Sequence, residues 1–311
     1  MIGTVDTLRI EGIELPLTRL ALGTFGFSPD TRERDYAVLD AWVEAGGTVI
    51  DTALVYEGGG AEQVLGQWFR DRPGVREQIV LVTKGAHPEG DRARVTPADI
   101  ASDLSDSTGR LGGPVDLYLL HRDDPAADVG ELVDALDAHR RAGDIQAFGV
   151  SNWTLARIDE ANAYASARGV AGISCNSPHL SLAVQNEPPW PGCMSAADAE
   201  SRAWHTRTGM PLLAWSAQAG GYFAGAPSHV YDSAANRERR ARAEQLGRRT
   251  GHTAHAVALA WVLAQPFPAI AAIGPHSVEH LHTSLEALDV ELSAEDARWL
   301  NLEGEPVSAG G

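Results

Sequence analysis

The chain has 311 residues, of which 25 are Lys or Arg and 42 are Asp or Glu, a formal net charge of −17. So acidic a surface repels a phosphate backbone and an anionic bilayer, which argues against nucleic-acid and membrane partners. No apolar run reaches the roughly 18–20 residues of a membrane span, and 44% hydrophobic with 22% charged residues is the composition of a folded globular protein. Two cysteines, Cys175 and Cys193, permit at most one disulfide and lack metal-ligand spacing. The opening segment MIGTVDTLRIEG has no basic start followed by an apolar stretch, so a cytoplasmic, reduced protein is expected.

Short β-branched runs alternate with longer amphipathic stretches along the chain. Strand-like runs end near Phe25, Thr52, Lys84, His121, Ser151, Asn176, Ser216 and Gly274, which makes eight. The spacing predicts helices over 32–46, 96–112 and 154–169 among others, the second opened by Thr96 as N-cap with Pro97 in the first turn. Gly46, Gly143 and Gly169 stand where helices stop, since a left-handed cap costs glycine little. The first five strand ends lie 27 to 37 residues apart, room for one strand and one crossover helix each. Eight such units predict a (β/α)8 TIM barrel, one domain over 1–311. A doubly wound sheet is the alternative, but no G-x-G-x-x-G turn follows the first strand. The surplus length falls in 177–203 and 217–236, which follow strands and are expected to overhang the C-terminal mouth.

Barrel chemistry takes place at the carboxyl ends of strands. Asp51 and Tyr56 follow the second predicted strand, Lys84 ends the third and His121 the fourth. Each has a plain structural reading: a turn cap, a rim aromatic, a solvated lysine, a buried histidine. Together they form a proton-supply set. A phenol with an ordinary pKa near 10 donates poorly at neutral pH unless a cation stabilises its anion. Lys84 can supply that charge, Asp51 can keep Lys84 protonated, and His121 can orient a carbonyl oxygen. This suits a carbonyl gaining negative charge during hydride transfer. There is no G-x-S-x-G elbow for acyl transfer and no H-E-x-x-H for a metal, so no metal site is expected.

The segments TVIDTALVYEGGGAEQVLGQWF (48–69), IVLVTKG (79–85), DLYLLHRDDP (116–125), FGVSNW (148–153) and PLLAWSAQAGGYFAG (211–225) resemble, in order and spacing, those of the aldo-keto reductases. The resemblance implies a (β/α)8 barrel that binds a nicotinamide dinucleotide without a Rossmann domain, and a tetrad of Asp51, Tyr56, Lys84 and His121 with Tyr56 as proton donor. It further implies that Ser151 and Asn152, with Asn176, hold the nicotinamide carboxamide and that Trp215 stacks on the ring. The Ser216–Gly221 loop, including Ala217, Gln218 and Gly220, would wrap the pyrophosphate, and Gly23 and Thr24 would touch the cofactor from the first strand. IGPHSVEHLHTSL (273–285) corresponds to the site of the adenosine 2′-phosphate. There His276 and His280 stand where Arg or Lys is usual for NADPH, Thr283 and Ser284 stand where an acid and Asn are usual around the adenine, and Gly274 opens the segment, so NADPH is expected with NADH possible.

Phe25, Phe27, Val55, His87, Arg122, Trp153 and His179 are expected to face a small-molecule carbonyl or alcohol, with sugar-like or natural-product ketones fitting the mix of aromatic faces and donors. His87 and Arg122 also have possible loop partners in Glu89, Asp123 and Asp124. The competing readings are a non-catalytic cofactor-binding subunit or redox sensor on the same barrel, and a barrel isomerase or metal hydrolase. A monomer or small homo-oligomer is expected.

Overall fold

The computed structural model describes residues 7–304, so the span expected for the single domain runs past it at both ends. A short antiparallel hairpin, β1 (Thr7–Leu8) and β2 (Leu17–Thr18), comes first. Eight parallel strands follow: β3 (Leu20–Gly23), β4 (Val49–Asp51), β5 (Val80–Gly85), β6 (Val115–Leu120), β7 (Ile145–Ser151), β8 (Asn176–Ser177), β9 (Leu212–Ala214) and β10 (Ala269–Ile273). They pair in sequence order and β10 closes on β3, giving the (β/α)8 barrel that the periodicity predicts.

Between the strands lie α1 (Arg32–Glu44), α2 (Gly60–Asp71), α3 (Pro97–Leu111), α4 (Val129–Ala142), α5 (Leu155–Arg168) and α6 (Ala199–Thr208). α7 (Ala234–Thr250) and α8 (Ala254–Leu263) precede β10, and α9 (Val278–Leu285) and α10 (Ala294–Leu300) follow it. The Thr96 hydroxyl accepts from Asp99 N–H, as the N-cap reading requires, and Gly143 and Gly169 take left-handed conformations at the ends of α4 and α5.

Two apolar layers result. One fills the space between barrel and helices, with Trp42, Trp68, Tyr118 and Phe148 among its largest members. The other fills the barrel and is built from small and β-branched side chains such as Ala21, Val49, Val80, Val82 and Cys175. Ile10, Ile13 and Leu17 from the hairpin join this inner layer. The sequence pattern did not announce that plug, because two-residue strands carry no usable alternation. Gly149 in β7 marks a close approach: a Cβ there would lie 2.3 Å from the Cys175 carbonyl oxygen. No helix among the described residues is long and apolar enough to cross a membrane.

Candidate active site

Strand ends bring Asp51, Lys84 and His121 together, and the one-turn helix Tyr56–Gly59 after β4 adds the phenol. Lys84 Nζ, almost fully buried, donates to Asp51 Oδ1 (2.6 Å) and to the Thr52 carbonyl (2.8 Å), and its third direction faces Tyr56 Oη at 3.4 Å. Burial by itself would lower the lysine pKa. The Asp51 carboxylate, with the Tyr56 oxygen, outweighs that and holds it above its ordinary value. Burial raises the Tyr56 phenol, and the Lys84 charge opposes the rise. Burial, reinforced by Lys84 and Arg122, pushes His121 well below the ordinary histidine range, so its imidazole is neutral at pH 7. Its Nδ1 is buried without a partner, which leaves Nε2 as the nitrogen open to the mouth. The Tyr56 ring meets the rings of Phe25 and His121 edge-on, at 5.3 and 6.0 Å.

These groups line one side of a cavity of about 1530 Å³ at the carboxyl ends of the strands. A pocket for one small ligand measures roughly 300–1,000 Å³, so this one has room for a dinucleotide and a second molecule together. Of the cofactor-site expectations, Gly23, Ser151, Asn152, Trp215, Ser216, Gln218, Gly220, Gly274, His276, His280 and Ser284 line it. Gln218 ties its loop across the barrel end: Oε1 accepts from Gly274 N–H (3.1 Å), and Nε2 bonds to Ser284 Oγ and His255 Nε2. Asn152 is saturated. Its Oδ1 accepts from Trp215 Nε1–H and Met194 N–H, and its Nδ2 donates to Ser151 Oγ and the His121 carbonyl. In this conformation the amide therefore fixes the Trp215 ring rather than offering itself to a ligand.

Several expected residues lie behind the wall. Thr24 is fully buried and donates to the Asp51 carbonyl, holding the end of β4. Ala217 is buried in the apolar layer around the barrel. Asn176 corrects the register of β8: Cys175 belongs to the inner layer, while the Asn176 amide turns outward to His205 of α6, 3.2 Å away. Of the substrate-facing expectations, Phe25, His87 and Arg122 line the cavity, as does Val55. Phe27 and Trp153 do not; both are buried in the outer layer, the latter bonded to the Arg122 carbonyl. His179 is fully buried behind Trp215, edge-on at 5.1 Å, and bonded to Ser195, Ser181 and Tyr231. Aromatic and imidazole rings pack equally well on either side of a barrel wall, so type alone does not place them.

The long segment between β8 and α6 contributes Trp190, Pro191 and Cys193 to the cavity, and the segment after β9 contributes Phe223 and Ala224. Thr253 and His255 at the start of α8 also line it. The sequence reading passed over these two, although Gly251 followed by Thr253 is a readable helix-start signal.

The model of the aldo/keto reductase family matches residues 19–301, and the chain belongs to that family. It is an NAD(P)-dependent oxidoreductase. Among its relatives are the 6-dehydroglucose reductase of Agrobacterium fabrum, 30% identical over 93% of this chain and 94% of that one, and the uncharacterized oxidoreductase YrpG of Bacillus subtilis, 29% identical over 92% of each. An aldo-keto reductase from Klebsiella pneumoniae, solved with NADPH, is 25% identical and superimposes with a TM-score of 0.78, covering 99% of this chain and 98% of that one.

Proposed function

We propose that this chain interconverts a carbonyl and an alcohol, with Tyr56 as the proton donor to the carbonyl oxygen. The observation that carries the reading is the position of Lys84 Nζ, in contact with Asp51 on one side and the phenol of Tyr56 on the other, at the wall of a cavity large enough for two ligands. The dinucleotide, when bound, supplies the hydride. NADPH is the cofactor we assign, as in the Klebsiella pneumoniae relative, with NADH accepted.

The raised phenol pKa keeps Tyr56 protonated over the working pH range, so the donor is always loaded. As hydride reaches the carbonyl carbon, its oxygen becomes an alkoxide, a far stronger base than a phenolate, and takes the Tyr56 proton. The phenolate left behind faces the Lys84 ammonium across 3.4 Å, and the ammonium is itself held charged by Asp51. His121, neutral and with Nε2 open to the mouth, can donate to the same oxygen and aim it at Tyr56. Trp215, pinned by Asn152, would offer a flat face to the nicotinamide ring when the dinucleotide binds. The Ser216–Gly221 loop with Gln218 and Ser284 would run along the phosphates and adenosine, with His276 and His280 at the 2′-phosphate end.

The test is consumption of reduced dinucleotide by wild type and Tyr56→Phe with a panel of aldehydes. Loss of turnover by a factor of roughly 10²–10⁴ with cofactor binding kept supports the assignment. Full turnover in the variant removes Tyr56 as the acid. Tight dinucleotide binding by the wild type with no turnover on any substrate favours a non-catalytic binding subunit.

A further inference from the structure

The sequence leaves open whether Arg122 is neutralised by a neighbouring loop acid. It is not. Asp123 is taken by Arg157 at 3.2 Å, Asp124 Oδ1 accepts from Ala126 N–H, and Glu89 lies 3.5 Å from Arg94. The guanidinium of Arg122 donates to the His121 carbonyl at 2.9 Å and approaches Cys193 Sγ at 3.5 Å. A carbonyl and a weakly accepting thiol use two of its five N–H groups, and no carboxylate among the described residues lies within ion-pair distance.

The surroundings sharpen the point. In a chain with 42 acidic residues, the described residues lining the cavity include one acid, Asp51, and its charge is matched by Lys84. The Arg122 charge is therefore uncompensated inside the mouth, and it is felt at Tyr56, His121 and His87, that is, on the side where the carbonyl would react. On the same reading the pyrophosphate of the cofactor would lie by Gln218, whose Oε1 accepts from Gly274 N–H, and not by Arg122. Among the described residues, the large hydrophobic side chains that remain exposed are Phe25 (63%), Trp190 (57%) and Val55 (39%), and all three line this same cavity. Exposed apolar area gathered at one cleft marks a binding surface.

Resting on the reading of the site as a carbonyl reductase, we infer that the substrate carries a carboxylate, paired with Arg122, on a flat apolar body seated between Phe25, Val55 and Trp190. A planar guanidinium suits a two-point contact with a carboxylate, and a charge-assisted pair in a partly dry site is stronger than a neutral hydrogen bond.

The experiment compares para-carboxybenzaldehyde with its methyl ester as substrates, and benzoate with methyl benzoate as ligands followed by calorimetry, in wild type, Arg122→Gln and Arg122→Lys. The expected result is a preference for the acid over the ester of about tenfold or more in kcat/KM, collapsing toward unity in Arg122→Gln and only partly restored in Arg122→Lys, which keeps the charge but not the two-point contact, with benzoate affinity falling by about 10- to 100-fold in the Gln variant. If both aldehydes are reduced with no preference for the acid, or the preference survives in Arg122→Gln, the carboxylate assignment is overturned while carbonyl reduction stands. If neither aldehyde is reduced but benzoate binding still depends on Arg122, the anion site stands and the reductase reading falls. Benzoate binding indifferent to residue 122 overturns the assignment whatever the turnover.

Discussion

The ammonium of Lys84 lies 3.4 Å from the hydroxyl oxygen of Tyr56 and 5.1 Å from the centre of its ring, so the charge faces both the phenol edge and the π-face. This contact opposes the rise that burial imposes on the phenol. Removing the cation with Lys84→Met destabilises the phenolate and sends the Tyr56 pKa further up. In alcohol oxidation the phenolate is the base, so the rising limb of kcat against pH for that direction is expected to move to higher pH in Lys84→Met, alongside a lower maximal rate. A limb at the wild-type pH would mean that a different group titrates.

The same substitution should cost stability for a separate reason. Lys84 and Asp51 form a buried pair at 2.6 Å, and deleting one partner strands a charge out of water, at about 3–5 kcal/mol. Lys84→Met is expected to melt several degrees below wild type, and the double variant Asp51→Asn, Lys84→Met above the Lys84→Met single. Thermal melts of the set decide it. Additive losses would show that the two side chains are not coupled.

Acid stability is expected to depend on His179. It is fully buried, and burial lowers its pKa to about 3, below the ordinary value near 6.5. The unfolded chain therefore binds a proton that the native state refuses. The stabilisation is complete above about pH 6.5 and is lost as pH falls toward 3, at up to about 1.4 kcal/mol per pH unit. His121, also shifted down, contributes with the same sign. Denaturant unfolding at several pH values between 7 and 4 should show a shallower slope for His179→Gln than for wild type, even though that variant starts less stable. Equal slopes would assign the acid sensitivity elsewhere.

Cofactor choice is expected to respond to position 280. The described residues that line the cavity carry no Arg or Lys at the end formed by Gly274, His276, His280 and Ser284. A fixed charge there should favour the 2′-phosphate, so His280→Arg is expected to tighten NADPH by about tenfold while NADH changes little, a difference typical of one charge-assisted contact. Parallel fluorescence titrations read through Trp215 measure it. Equal tightening of both dinucleotides would locate the effect at the pyrophosphate instead.

Sequence alone determined the barrel and the placing of Asp51, Lys84 and His121 at three adjacent strand ends. Parallel strands joined by helices recur at a length that the chain cannot disguise, and the last side chain of such a strand has few places to point. It also determined that α3 and α5 start at Thr96 and Thr154, because a cap is a local hydrogen bond. Only the folded chain decided which side of the wall each ring occupies. Phe25 and Phe27 are two residues apart, yet one projects into the cavity and the other packs beneath the helices. At β8 the strand is too short to carry its own alternation, so Asn176, expected at the cofactor, turns outward to His205 while Cys175 takes the inward position. The free charge of Arg122 was likewise a tertiary outcome: its sequence neighbour Asp123 is claimed by Arg157, 34 positions along, because α5 packs that guanidinium over the turn after β6. Periodicity records how a segment meets its own neighbours in the chain, whereas the sign of the field in the mouth depends on which distant groups reach one another first.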